Sequence, residues 1–506
     1  MNELGSHGGE NEFRPVHPIN SPASPQLTIK PVNTEPDIRT RPGSRNPPGP
    51  PFLPRLLSGK MFRQSTIDFL TDNAKRYGDL VHYGAGNRKI FQFNHPELIQ
   101  ELLVNDEPRN RRGIVMQRSR FILGDGLLTS EEPLHMRQRR MAAPAFHRQR
   151  IAAYGEVISQ YSAEMIDRWQ PGPLDLHPEM LLLALRIVGK CLFDTDAQAE
   201  VKKIAAAVDA FMGFLPLVFL PFSKQIEKLP FGPMEKIRKG GVDLDAIIYG
   251  MIAERRKSPG DRGDLLSMLL EATDVEENPE ALQDSPAAQK PAAHMTDKQV
   301  RDECLTVMLA GHETTANGLS FALWMLAKHP EAQEEVHQEA VRVLGARAPV
   351  ADDFPRLRYT YMAFAETMRL YPPVWVIGRS CGPEPYDFRG FTMPAGAIFI
   401  APQIVVQRDP RFWPNPEKFD PRRFAEENRS SEGRPVRPKF AYYPFGAGSR
   451  QCIGEGLAWM EGVFVLATIL RNWRVRPAPG LPEELPMSPL ISLRPKHGVP
   501  LVLERR

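Results

Sequence analysis

The sequence predicts a mainly α-helical fold with small β-sheets. Three observations carry that reading. Helical periodicity dominates from about residue 97 onward. One unbroken helical pattern covers 296–328, about 30 residues or roughly 45 Å at the rise of an α-helix, enough to cross a large domain. Extended patterns are short and fall in two places, 80–93 and 376–404.

Taken in chain order, residues 1–54 are rich in Pro, Asn, Ser, Gly and charge with little apolar periodicity. They read as a mobile tail, with Pro47-Pro48-Gly49-Pro50-Pro51 as a stiff lead-in, leaving 55–506 as the folded domain. Residues 80–84 and 89–93 read as two strands joined by a turn at Gly86-Asn87, and a helix follows His95-Pro96. The stretch 276–293 is aperiodic and Pro-bearing, as a surface loop would be. Thr296 and Gln299 form a capping box that starts the long helix. In its middle, Ala310-Gly311-His312-Glu313-Thr314-Thr315 is poor sequence for a buried helix. Ala310 and Gly311 are small enough to admit a flat cofactor, and Glu313 and Thr314 supply an acid and a hydroxyl. A bond from Thr314 back to a carbonyl would open the helix locally into a groove. Glu366 and Arg369 stand three apart on a helix that Pro372-Pro373 ends sharply. Short apolar runs such as 397–400 then mark the second strand region.

Near the C-terminus comes Phe445-Gly446-Ala447-Gly448-Ser449-Arg450-Gln451-Cys452-Ile453-Gly454. Gly448 and Gly454 permit backbone geometry that a side chain would obstruct. The helical pattern of 453–470 puts Cys452 at a helix N-terminus, where the macrodipole and unpaired N–H groups favour a thiolate. Arg450 brings a guanidinium suited to a carboxylate. A lone thiolate with a cation for an acidic group beside it fits a haem iron ligated by sulfur.

This loop resembles the haem-binding signature of the cytochrome P450 family, carried by Phe445, Gly448, Arg450, Cys452 and Gly454. The resemblance implies the cytochrome P450 fold, with its long central helix over a buried haem b (iron protoporphyrin IX) and Cys452 as the axial thiolate and metal ligand. Residues 310–315 resemble the family's oxygen-activation motif, which implies that Glu313 and Thr314 relay protons for dioxygen chemistry. His312 occupies the variable position of that motif and reads as a packed histidine. Arg423, in Pro421-Arg422-Arg423-Phe424, matches the arginine that joins Glu366 and Arg369 in the family's Glu-Arg-Arg network. Gln407 stands where many members have His. For the two haem propionates, the resemblance points to Arg450, Arg379, and the pair His135 and Arg139, which share a helix face; Phe445 completes the cofactor-binding set.

By position, the family's substrate contacts fall at 112–127, 211–220, 306–310, 374–376 and 490–492. These are mainly apolar, so an apolar substrate is expected, without separating fatty acids, terpenoids, steroids and aromatics. The 211–220 run reads as substrate channel or core, with a membrane-surface contact as the other reading. The implied activity is that of a monooxygenase using O2. About 54 residues follow Cys452 without a nucleotide-binding glycine fingerprint. A separate ferredoxin or flavodoxin with its reductase is therefore the expected electron source. The alternatives are a peroxide-driven enzyme, against which Glu313-Thr314 argues, and a non-catalytic haem-binding protein.

Composition sets the remaining bounds. The 64 Lys+Arg and 61 Asp+Glu leave a net charge of +3, too balanced for nucleic-acid binding. Four scattered cysteines make neither a disulfide framework nor a zinc site. No run approaches the roughly 20 apolar residues of a membrane span, and the start lacks a signal pattern. The expectation is a cytoplasmic protein without a transmembrane anchor.

Overall fold

The expected central helix spans Asp297–Lys328, 32 residues. The structure is a computed structural model that describes residues 35–40, 46–50, 65–85, 88–195, 201–212, 225, 232–272, 294–425 and 437–506. All of the described residues belong to one unit, Val32–Arg506. The capping box closes as the sequence predicts: Gln299 N–H donates to Thr296 Oγ1 at 3.2 Å, and Thr296 N–H donates to Gln299 Oε1 at 2.9 Å. The helix is buried on all sides over 300–309 and again over 315–327, as befits one in the middle of a large domain. Between those stretches, Ala310 is exposed and Gly311 and Thr314 are half-buried.

One detail of that break differs from expectation. Thr314 Oγ1 does donate back to the Ala310 carbonyl at 2.6 Å, but the helix continues through it without opening. A bond of this kind adds to the helix ladder without replacing it. Gly311 also packs closely against a neighbouring helix, Leu176–Phe193. A Cβ at Gly311 would lie 2.9 Å from Val188 Cγ2.

The two predicted strand regions join in one five-stranded sheet. Leu80–Ala85 pairs antiparallel with Arg88–Phe93, which runs parallel to Ile398–Ala401. Ile377–Cys381 pairs antiparallel with that strand, and Asn110–Arg112 forms the far edge, with Arg112 opposite Arg379. Gly86-Asn87, 213–220, 276–293 and most of the predicted tail lie outside the described residues. Two pieces of that tail are described and they pack: Asp37 N–H donates to Asp79 Oδ2 at 2.7 Å, and His82 N–H donates to the Pro48 carbonyl at 3.0 Å. A three-stranded sheet of Gly172–Asp175, Pro500–Arg505 and Trp473–Pro477, which the sequence did not announce, ties the chain end to the helices. A hairpin of Met487–Pro489 and Leu493–Pro495 docks beside the Pro372-Pro373 stop. Leu493 N–H donates to the Pro373 carbonyl at 2.8 Å, and Trp375 Nε1 donates to the Leu490 carbonyl at 2.9 Å.

The helix Arg358–Leu370 carries the predicted ion pair. Arg369 donates through Nε and Nη2 to the two Glu366 oxygens at 2.8 and 2.7 Å, with both side chains fully buried. Arg423 Nε and Asp420 N–H donate to Glu366 Oε1 at 3.2 and 3.0 Å. The remaining Arg369 donors reach the carbonyls of Gln407, Pro416 and Lys418. Every donor and acceptor of the pair is thereby engaged, the condition under which a buried ion pair is tolerable. Gln407 adds a link of its own: its Nε2 donates to the Met368 and Arg369 carbonyls, while Oε1 accepts from Tyr443 N–H. Replacing Glu366 or Arg369 by Ala strands the partner charge and should cost about 3–5 kcal/mol. Urea denaturation measures this; an unchanged midpoint would show that the network does not hold the fold.

Candidate active site

The cysteine loop is a set of tight turns held by main-chain bonds. Cys452 N–H donates to the Phe445 carbonyl at 2.9 Å, Gly446 N–H to Tyr443 and Gln451 N–H to Gly448. Gly448 has φ 72°, and a Cβ there would sit 2.4 Å from the Leu103 carbonyl oxygen, so only glycine fits. Gly454 has an ordinary φ of −88° and room for a Cβ, which corrects the expectation that its backbone needs glycine. The helix that follows is Glu455–Asn472, with Gly454 as its N-cap. The Phe445 ring lies 5.3 Å from that of Trp459 on that helix, tilted by 59°, and braces the loop.

Cys452 is exposed, yet burial pushes its thiol up to about 11. The two facts agree if the sulfur opens onto an interior space ringed by protein. The desolvated surroundings govern its chemistry, because protein atoms and not bulk water surround it. A bond from Gly454 N–H and the charge of Arg139 pull the other way and do not prevail. The predicted helix-terminus effect is thus present but outweighed, and ionising this sulfur calls for a cation bonded to it. On the central helix, Ala310 is exposed and Gly311 and Thr314 are half-buried, where the rest of the helix at that level is buried.

Around the loop, four basic side chains are drawn together. Arg450 donates to the Ser130 carbonyl at 2.9 Å and to Glu131 Oε2 at 3.0 Å. Burial lowers Arg379 to about 10, with Arg450 the next cause. Arg112 falls well below its ordinary value through burial, then repulsion from Arg450 and Arg379. His135 is lowered to about 4 by burial and then by Arg450, although its Nδ1 pairs with Glu132 at 2.7 Å. Arg112 Nε, Arg379 Nε and His135 Nε2 are buried without a hydrogen-bond partner among the described residues. A buried, mutually repelling set of donors of this kind is suited to an anion with several oxygens. The two propionates of a haem meet that requirement, so the residues present fit the cofactor.

Of the predicted cofactor-binding residues, Arg450, Arg379 and His135 therefore come together. Arg139 stands beside the loop itself: its Nη1 donates to the Gln451 carbonyl at 2.7 Å, fastening the helix Leu134–Ala142 to the cysteine loop. Arg112 was read only as the start of a substrate loop. Its membership of the cluster comes from strand pairing with Arg379, which no local pattern announces. Glu313 is buried, with its Oε1 accepting from Ser492 Oγ at 2.7 Å. His312 is buried on the central helix, as its variable position suggested.

The family model described as cytochrome P450 matches residues 47–502. The chain belongs to the cytochrome P450 family. It is similar to cyclooctatin synthase of Streptomyces melanosporofaciens, at 35% identity over 86% of this chain and 91% of that protein. It is also similar to cyclooctat-9-en-7-ol 5-monooxygenase of the same organism, at 34% over 93% and 95% of the two chains. Pentalenene oxygenase of Streptomyces avermitilis is 31% identical over 80% and 85%. Among solved structures, the heme domain of cytochrome P450DA matches with a TM-score of 0.76, covering 91% of this chain and 98% of that one at 23% identity, a likeness of fold. This P450 is a haem-dependent monooxygenase. Among the described residues, no helix is long and apolar enough to cross a membrane.

Arg112→Gln removes one charge-assisted donor from the anion cluster. Such a bond is worth about 1.5–3 kcal/mol, so haem transfer to an excess of apomyoglobin should quicken about 10- to 100-fold. An unchanged transfer rate would remove Arg112 from the propionate site.

Proposed function

We propose that this P450 hydroxylates or epoxidises a carbocyclic terpenoid hydrocarbon or alcohol, using O2 and electrons from a separate ferredoxin or flavodoxin with its reductase. The observation that carries the reading is the pairing of an accessible, desolvated Cys452 with a buried cluster of Arg112, Arg379, Arg450 and His135. One sulfur and several anion donors are what an iron porphyrin with two carboxylates needs. When bound, haem b supplies dioxygen activation and oxygen-atom transfer to a C–H or C=C bond.

The chain's own residues do the rest. Cys452 Sγ is assigned as the iron ligand, and Gly448 keeps its loop close to the Leu103 carbonyl. The four basic side chains would hold the carboxylates of the cofactor. On the central helix, Thr314 spends its hydroxyl proton on the Ala310 carbonyl. Its oxygen lone pairs are then left to accept a hydrogen bond from water or a bound group in the interior space. Glu313, the next residue back, is the proton source that re-supplies that position; a positioned acid of this type is worth about 10²–10⁴-fold in rate.

Substrate class rests on the relatives. Their names specify pentalenene and cyclooctat-9-en-7-ol, a carbocyclic alkene and a carbocyclic alkenol. Around the assigned pocket, Val307, Met308 and Leu309 on the central helix and the half-buried Leu490 and Ile491 offer apolar surface for such a skeleton.

Two outcomes test the reading. Pentalenene and cyclooctat-9-en-7-ol, added to purified holoprotein, should shift the haem absorption spectrum more than fatty acids of similar size; preference for a fatty acid would overturn the substrate class. Thr314→Ala should divert electrons from product to released hydrogen peroxide during turnover of the bound compound. Tight coupling in that variant would show that Thr314 takes no part in proton delivery.

A further inference from the structure

The acid of the central helix does not stand alone. Ser492, in the hairpin of Met487–Pro489 and Leu493–Pro495, is buried and places its Oγ 2.7 Å from Glu313 Oε1. Asn317, one helical turn beyond Glu313 and fully buried, points Nδ2 at the same Ser492 Oγ at 3.1 Å. This second contact settles the direction of the first. A serine hydroxyl has one proton, and an oxygen that accepts from Asn317 has its own proton to give to the carboxylate. Asn317 Nδ2, Ser492 Oγ and Glu313 Oε1 thus form a polarised chain in a desolvated setting, where each bond strengthens the next. Arg494 Nη1 lies 3.9 Å from the same Glu313 oxygen and adds a cation at the end of the chain.

We infer that Ser492 is a positioning residue for Glu313, setting the rotamer from which the acid delivers protons. This rests on the proton-source role assigned to Glu313 above. The hairpin is itself held at both shoulders. The Leu490 carbonyl accepts from Trp375 Nε1, and Leu493 N–H donates to Pro373. Ser492 sits between these anchors and directly follows Leu490 and Ile491, two of the residues expected to touch substrate. The acid's orientation is therefore tied to the segment that contacts the organic molecule, and displacement of that segment reaches Glu313 through one hydroxyl.

The test is an infrared difference spectrum of the holoprotein, recorded without substrate. The carboxyl band of Glu313 is identified by its loss in Glu313→Gln. In Ser492→Ala that band should shift to the frequency of a carboxyl lacking a hydroxyl donor, while Ser492→Thr, which keeps the hydroxyl, should restore it. During turnover, Ser492→Ala should also raise peroxide release, and adding it to Glu313→Gln should cause no further rise, as expected of residues acting through one another. A Glu313 band unmoved by Ser492→Ala, or a drop in thermal stability in that variant with band and peroxide release unchanged, overturns the inference. Failure of the relay itself would look different: Glu313→Gln would leave peroxide release at the level of the unaltered protein.

Discussion

The bidentate bond between Arg369 and Glu366 is the constraint on which the rest of this P450 leans. Neither residue is accessible at all, so their charges are tolerable only because each remaining donor and acceptor finds a partner. Those partners are the main-chain carbonyls of Gln407, Pro416 and Lys418, the Asp420 amide and the Arg423 guanidinium. A stretch with little regular structure is thus pinned by electrostatics where a helix or sheet ladder would ordinarily do the work. The pinning propagates. Gln407 joins the end of the same helix to Tyr443, and Trp413, over which Arg369 lies at 5.0 Å, donates to the Ala441 carbonyl at 3.2 Å. Four residues later the cysteine loop begins. The sulfur's position is therefore inherited from an ion pair on a different helix.

At the site, low polarisability acts in two opposed ways. It raises the cost of a bare thiolate, which is why the Cys452 thiol lies near 11 despite the Gly454 amide and Arg139. It also raises the cost of clustered cations, which is why Arg112, Arg379 and His135 all fall below their ordinary values. One ligand with a cationic metal and two anionic arms relieves both. Affinity for such a cofactor is in this sense stored in the strain of the surrounding charges. The fold holds the unfavourable arrangement because strand pairing and the ion-pair network fix it from outside.

Much of this was legible in the sequence where a motif is local. The capping box at Thr296, the Glu366–Arg369 spacing, the Pro372-Pro373 stop and the cysteine loop each carry their meaning within a few residues, and each is found where the sequence puts it. Non-local features were not. Arg112 joins the anion cluster through the register of two distant strands, and Ser492 meets Glu313 across 179 positions. Gly454 was misread for a related reason. Gly311 and Gly454 look alike on paper, but one makes room for Val188 and the other caps a helix with an unexceptional backbone. Residue type alone does not say whether a glycine serves conformation or proximity. At Cys452 the helix terminus acts with the predicted sign, and in the chain without its cofactor desolvation is the larger effect.

The central claim is a bond between one sulfur atom and an iron. X-ray absorption at the iron edge of purified holoprotein tests it most directly. The account predicts one sulfur scatterer at bonding distance beside the porphyrin nitrogens, lost when Cys452 is replaced by His. A first shell of nitrogen and oxygen alone in the unaltered protein, or a sulfur that persists in Cys452→His, would contradict it.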